Sequence, residues 1–566
     1  MIIIPLLASV AIAGAFTAAH GLRYCGSVSG ASSGTQCAVV DLDNGAYRSE
    51  FKSGPFVQAQ GFDGTAWVQR NGLVSVVDLP GLRRDAVTLA YLQSQGWLRN
   101  GAAPRSGRVT LQPAGGSKVA LSFDGNTHLL TGAVVDSEYG PDRFDYRDYR
   151  QVDGIAWPFA TIETDPTGAR TVTRLTGLQV LHSIPRAAVS PDRNAKKPAL
   201  TGVVRVPMRS DAPTYMAHIL LPLRIDGRPV QMLFDTGGQN SLNPAAATRL
   251  GIGASGAISV GGSGGSSARA RIARVKSMAV GDASLDDQRF IIFPLPYQIA
   301  HPAYGVRVDG VVGSEILENF RVTIDYAARS FVLSSLTAPS TARGVTVPFW
   351  SDGSHAYVQA SVDGASGLFG IDTGDPGGVT VFGPFANRHG LYRSKGVRYF
   401  GLGIGGADAE DEYRGKTMRL GGVTLLQPIV KVSRSTSGDF SARSVAGNLG
   451  ADVLSRFTLT FDYGRRTVTF APNADVRRPF RQDMTGLTVV QRRGGSLYVV
   501  AVAEGTPAAE AGVRPGDAIV AVNATRAVEM GVKDFDRYRF ADVPFTVTIE
   551  RGGTHKTLSL RPRLLL

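Results

Sequence analysis

A chain of 566 residues has room for about four domains. Its 43% hydrophobic content, 68 glycines and 30 prolines favour a β-rich globular protein with many turns. The net charge is +13, but the basic residues are scattered and no run of them is interleaved with aromatics. That argues against nucleic-acid binding and leaves solubility, or association with an anionic membrane surface, as the use of the charge.

Residues 2–16 form an apolar run too short to span a bilayer, and Thr17-Ala18-Ala19 puts small residues where a signal peptidase cuts. A signal peptide over 1–19 is therefore expected, although it lacks Lys and Arg before the apolar run. A retained interfacial anchor is the alternative. Export would place the protein in the periplasm or outside the cell. There the only two cysteines, Cys25 and Cys37, can form one disulfide.

From Tyr47 to about Val180 the pattern is mostly alternating strands with hairpin turns, such as Asp124-Gly125-Asn126. One helical interval, 83–98, interrupts it. An N-terminal accessory antiparallel β domain over 20–181 is predicted. The hairpin series resembles the curved half-barrel of lipoprotein-carrier proteins, which implies a concave face for a lipid or a peptide. A plain accessory domain or a propeptide is the competing reading. Residues 182–213 carry Pro185, Pro191, Pro198, Pro207 and Pro213 with Lys196-Lys197, a linker composition.

The chemistry lies in a duplication. Met232-Leu233-Phe234-Asp235-Thr236-Gly237 is echoed by Leu368-Phe369-Gly370-Ile371-Asp372-Thr373-Gly374. Each is an apolar strand running into an Asp-Thr-Gly turn. An Asp-Gly pair precedes each aspartate by nine positions, at Asp226 and at Asp363. Gly313 and Gly450 each follow their aspartate by 78 positions, and Asp325 and Asp462 by 90. If the copies pack about a pseudo-two-fold axis, Asp235 and Asp372 meet across it. Two carboxylates so close hold one proton between them, so one can act as base on a water while the other polarises a carbonyl. Thr236 and Thr373 offer hydroxyls for bonds across the axis, and Gly237 and Gly374 permit close backbone approach.

Residues 215–471 therefore resemble the pepsin- and retropepsin-like aspartic proteases, as a single-chain, two-lobed member. The resemblance implies β-barrel lobes at 214–340 and 341–476, peptide-bond hydrolysis by activated water, and no cofactor. It also places a flap at Gly261, Gly262, Gly264 and Gly265, glycines that would make a mobile lid. Gly261-Gly262-Ser263-Gly264-Gly265 matches the Gly-x-Ser-x-Gly nucleophile pattern, but it precedes no helix and has no histidine partner. Gly401-x-Gly403-x-x-Gly406 matches a dinucleotide fingerprint, but the acidic segment after it has no helical apolar face. It falls where the second lobe's flap-equivalent hairpin belongs. The eight histidines show no paired-ligand spacing, so no metal is expected.

Beyond Arg481 the signature changes. Ala511-Gly512-Val513-Arg514-Pro515-Gly516-Asp517 and its flanking strands resemble a bacterial PDZ domain, assigned to 477–566. PDZ domains bind peptide C-termini by strand addition, and the resemblance puts the carboxylate-binding amides at Thr485, Gly486 and Leu487. The combined expectation is a mostly β, exported aspartic endopeptidase that acts on peptide or protein substrates, with C-terminal peptides held by the PDZ domain. The rival is a non-catalytic peptide-binding or chaperone protein using the same cleft.

Overall fold

The computed structural model describes residues 19–99, 107–193, 198, 200, 202–210, 218–262, 264–303, 305–391, 396–403 and 406–566. The expected signal segment therefore lies outside the described residues, except for Ala19. The molecule is mostly β. No helix among the described residues is long and apolar enough to cross a membrane.

The N-terminal part is one open, twelve-stranded antiparallel sheet. Its first strand, Gly21–Gly30, pairs with its last, Arg170–Leu181, at the centre, and the remaining strands step outward on each side. Cys25 and Cys37 sit directly opposite on neighbouring strands and are bonded to each other. The helix Pro80–Gln93 opens with Pro at its first position, where the missing N–H costs nothing. Ala90 packs into a core with Tyr24, Tyr47 and Trp157. Leu92 and Trp97 pack into a second core with Val119 and Leu121. The single helix expected over 83–98 is two, because Gln95 adopts a left-handed φ of 51°.

Two lobes follow, built on sheets of eight and ten strands. In each, the strand leading to the Asp-Thr-Gly turn pairs in parallel with the short strand that closes the lobe. Phe234 lies opposite Val312, and Ile371 opposite Leu449. A six-stranded sheet joins the lobes. At its centre Phe320–Asp325 pairs antiparallel with Phe457–Asp462, Thr323 opposite Thr460, with their hydroxyls 2.9 Å apart. These threonines are separated by 137 positions, as are the two aspartates, so the pseudo-two-fold axis runs between them. One apolar core spans both lobes and the joining sheet.

The stretch 182–213 is not all linker. Val203–Pro207 forms the edge strand of the joining sheet against Ser330–Ser335. Proline is tolerated there because an edge strand needs only half of its ladder bonds.

The C-terminal domain has five main strands around the helix Val532–Arg539, with Leu487, Val499, Ile519, Phe535 and Val547 in its core. It docks on the first lobe, where Lys533 N–H donates to Pro302 O at 3.2 Å. Gly531 allows the contact, since a Cβ there would lie 2.5 Å from Ala303 Cα.

Candidate active site

The two Asp-Thr-Gly turns meet at the floor of a cleft of about 490 Å³. Their threonines interlock. Thr236 N–H donates to Thr373 Oγ1 and Thr373 N–H to Thr236 Oγ1, both at 3.0 Å. Each hydroxyl in turn donates to a carbonyl of the opposite strand, Thr236 to Ile371 and Thr373 to Phe234. Both threonines are buried, so these four bonds fix the turns against each other in a low-dielectric setting.

This grip brings the aspartates together: the Asp235 and Asp372 side chains share a hydrogen bond. Asp235 lies so close to the opposite turn that a Cβ on Gly374 would fall 2.4 Å from its Cγ, which is why glycine is required there. Asp235 Oδ1 accepts from Gly237 N–H at 2.8 Å. Asp372 Oδ1 accepts from the N–H groups of Gly374 and Asp375 at 2.9 and 3.0 Å, and its Oδ2 from Asn448 Nδ2 at 3.0 Å.

The two carboxyls are not equivalent. Burial raises both pKa values, that of Asp372 well above the ordinary range. At Asp372 the charges of Asp235 and Asp375 push in the same direction as burial. At Asp235 the Gly237 N–H, the His355 charge and the bond from Asp372 oppose it. The asymmetry favours the shared proton on Asp372 and the charge on Asp235. The residues following the two triplets account for part of this. Asp375 turns into its own loop, accepting from Gly377 N–H at 2.7 Å and Thr380 Oγ1 at 3.0 Å, yet its charge still reaches Asp372. Gly238 supplies only backbone, and a Cβ there would press within 3.0 Å of Asp235 Oδ2.

Both glycine-rich segments are hairpins over the cleft. Gly261, Gly262, Gly264 and Gly265 lie between the strands Ala254–Val260 and Ala268–Val280, with Ser263 outside the described residues. Gly401, Gly403 and Gly406 lie in the hairpin Val397–Gly403 and Gly406–Arg414, not in a strand–helix turn that would hold a dinucleotide. The first hairpin is held down. Its tip meets the second lobe through Asp439 N–H to Gly262 O at 3.2 Å, and its flank meets the N-terminal sheet through Ala257 N–H to Ser53 Oγ at 2.8 Å.

Several lining residues carry no mark of function in the sequence. Tyr139 comes from the N-terminal sheet and lines the cleft, where Glu138 accepts from Ser444 N–H and Oγ at 2.7 and 2.8 Å and Tyr139 O accepts from Ser441 Oγ at 3.0 Å. Asn448 replaces Val311 of the first lobe, which breaks the symmetry of the duplication. His218 and His355 also line the cleft, and each precedes its aspartate by 17 positions. That repeat was readable, but only by extending the duplication past the Asp-Gly pairs. Toward the far end, Glu410 and Lys431 pair at 3.4 Å, and burial pushes the Glu412 carboxyl up to about 7. No cluster of metal-ligating side chains exists among the described residues.

The PDZ loop differs from its expected state. Thr485 N–H and Oγ1 donate to Asp483 Oδ1 at 3.1 and 2.7 Å, Gly486 N–H donates to Asp483 Oδ2 at 2.8 Å, and Leu487 N–H donates to Thr485 Oγ1 at 3.3 Å. The three amides assigned to a peptide carboxylate are already bonded within the chain. Asp483 also pairs with Arg539 Nε at 3.5 Å and is hydrogen-bonded by Tyr399 of the second-lobe hairpin. The groove beside that loop, with Thr488, Val489, Val532 and Arg539, opens into the cleft above Asp235 and Asp372.

Fold and site together define an aspartyl-protease-like unit joined to a PDZ domain. Residues 221–316 match the family model described as aspartyl protease, and residues 498–550 match that of the PDZ domain. No curated protein matches the chain. Among solved structures it is similar to a retropepsin-like aspartic protease from Rickettsia conorii, 15% identical over 23% of this chain and 89% of that one, TM-score 0.16. It is similar to the HtrA3 PDZ domain bound to a phage-derived ligand, 19% identical over 15% of this chain and 88% of that one, TM-score 0.14. It is also similar to the photosystem II D1 C-terminal processing protease, 28% identical over 14% of this chain and 23% of that one, TM-score 0.14.

Proposed function

We propose that this protein is an exported aspartic endopeptidase in which Asp235 and Asp372 form the catalytic dyad. The observation that carries the reading is the pair of carboxyls that the interlocked Thr236 and Thr373 turns bring together at the cleft floor. Asp235, ionised, takes a proton from water as it attacks the peptide carbonyl. Asp372, protonated, donates a hydrogen bond to the carbonyl oxygen as negative charge develops there. Thr236, Gly237, Thr373 and Gly374 hold the geometry. The amine leaves with a proton from the dyad, and no covalent intermediate forms.

The substrate is an extended polypeptide, because the cleft runs from the dyad between two hairpins to the PDZ groove. The PDZ domain acts as an extension of the substrate channel, with its carboxylate loop closed by Asp483. Export is supported by the bonded Cys25 and Cys37, a pair that persists in an oxidising compartment.

Unfolded casein incubated with wild-type protein between pH 4 and 8 should be cleaved internally. Asp235→Asn and Asp372→Asn should each lower the rate by about 10²–10⁴-fold or more. Binding of casein without cleavage by the wild type would favour the peptide-binding alternative.

A further inference from the structure

The duplication places a histidine in each lobe beside the dyad, 17 positions before each aspartate. Both side chains are buried, at 4% exposure for His218 and 7% for His355. His218 Nε2 bonds to Gly374 O at 3.1 Å and so ties the first lobe to the second lobe's turn. His355 Nε2 bonds to Ile371 O at 2.8 Å, on the strand leading to Asp372. A carbonyl oxygen only accepts, so each Nε2 must carry its proton. The neutral ring then keeps Nδ1 as its basic atom.

For His355 that atom faces the first lobe's turn. A Cβ built on Gly237 would lie 3.5 Å from His355 Nδ1, 3.3 Å from its Cε1 and 3.4 Å from Asp235 Oδ1. The imidazole edge and the Asp235 carboxylate thus border one small space, left open by glycine. The other groups around His355 are known. Asp352 accepts from the His355 backbone N–H at 2.9 Å, and the Tyr357 ring lies 4.8 Å away. Asp439 feels its charge from the second lobe, and Tyr139 from the N-terminal sheet lines the same cleft. Burial holds both tyrosines neutral, and the charged groups on this side, among the described residues, include His355, Asp352, Asp439 and the dyad.

We infer that His218 and His355 are a pseudo-symmetric pair of positioning residues for the catalytic centre, and that His355 is also a proton-binding group coupled to Asp235. Protonated at Nδ1, His355 stabilises the Asp235 carboxylate across the Gly237 gap without displacing its own bond to Ile371. The inference rests on the protease reading for its kinetic consequence, but the coupling itself is independent of turnover.

Two measurements separate the inference from that reading. In His355→Gln the amide retains a donor for Ile371 O but loses the titratable site. The acid limb of the kcat/KM profile should then move to higher pH by about one unit, the size expected for a single opposite charge this near. The second measurement needs no activity. The Cε1–H resonance of His355 is followed by NMR through a pH titration in the wild type and in Asp235→Asn. Reciprocity requires the His355 curve to move to lower pH when the carboxylate is removed. Superimposed curves overturn the coupling even if casein is cleaved. A shifted curve in a protein that cleaves nothing sustains the coupling while the protease reading fails. An unmoved acid limb in an active His355→Gln, folded by circular dichroism, also overturns it.

Discussion

Asp375 shows how one side chain can set the working pH of a shared proton. Its carboxylate accepts locally from Gly377 N–H and Thr380 Oγ1 at the edge of the cleft. Its charge nonetheless stands among the causes that hold the proton on Asp372, after burial and Asp235. The sign follows directly. In the proposed mechanism Asp372 acts protonated, so activity should be lost on the alkaline side as pH rises through its raised pKa. Removing the Asp375 charge lowers that pKa and draws the limb acidward. Asp375→Asn preserves an oxygen for the Gly377 amide and should shift the alkaline limb of kcat/KM down by about 0.5–1 pH unit with the maximum rate retained. An unshifted limb would remove Asp375 from the electrostatics of the site.

At the scale of elements, the loop before the PDZ strand Leu487–Gln491 and the second-lobe hairpin are joined through Asp483. A carboxylate bonded by Thr485 and Gly486 is what a bound peptide terminus would supply, so the chain fills its own pocket. The wild-type domain should therefore bind fluorescent peptides equally well as free acids and as amides. Asp483→Ala vacates the amides, and the acid form should then bind roughly tenfold more tightly than the amide, the gain from hydrogen bonds to a charged group. Preference for the acid in the wild type, measured by anisotropy, would show that Asp483 yields readily and is no plug.

For the molecule as a whole, the N-terminal sheet is part of the architecture that encloses the cleft. Ser53 Oγ bridges Ser33 O at 2.6 Å and the backbone of Ala257 in the first-lobe hairpin, while Phe51 and Phe56 pack on Ile258 and Ile272. Ser259 N–H adds a bond to Ser32 Oγ at 3.0 Å. A hairpin whose glycines promise mobility is thus clamped along its flank and rests its tip on the second lobe. Ser53→Ala leaves the buried Ala257 amide without its acceptor, at a cost of about 1–3 kcal/mol. Hydrogen exchange across 254–260 should accelerate about fivefold or more, while exchange in the PDZ domain stays as it was. Unchanged exchange in the hairpin would mean that the apolar contacts alone hold it.

What the sequence determined by itself is what repeats or what a short motif encodes. The two Asp-Thr-Gly strands, the 78- and 90-residue spacings and the Ala-Gly-Val-Arg-Pro-Gly-Asp segment specify local backbone, and local backbone is legible from neighbours in the chain. The reciprocal bonds of Thr236 and Thr373 follow from that duplication once a two-fold axis is assumed. Which carboxyl favours the proton does not follow, because it depends on Asn448 and His355 being brought to the dyad from distant positions, with the charge of Asp375 beside them. Tyr139 is held at the cleft by bonds with residues some three hundred positions away, Ser444 to Glu138 and Ser441 Oγ to Tyr139 O. Asp483 closes the PDZ loop in a way that no motif announces. Burial and long-range charge are properties of the packed whole, and the tertiary structure alone decided them.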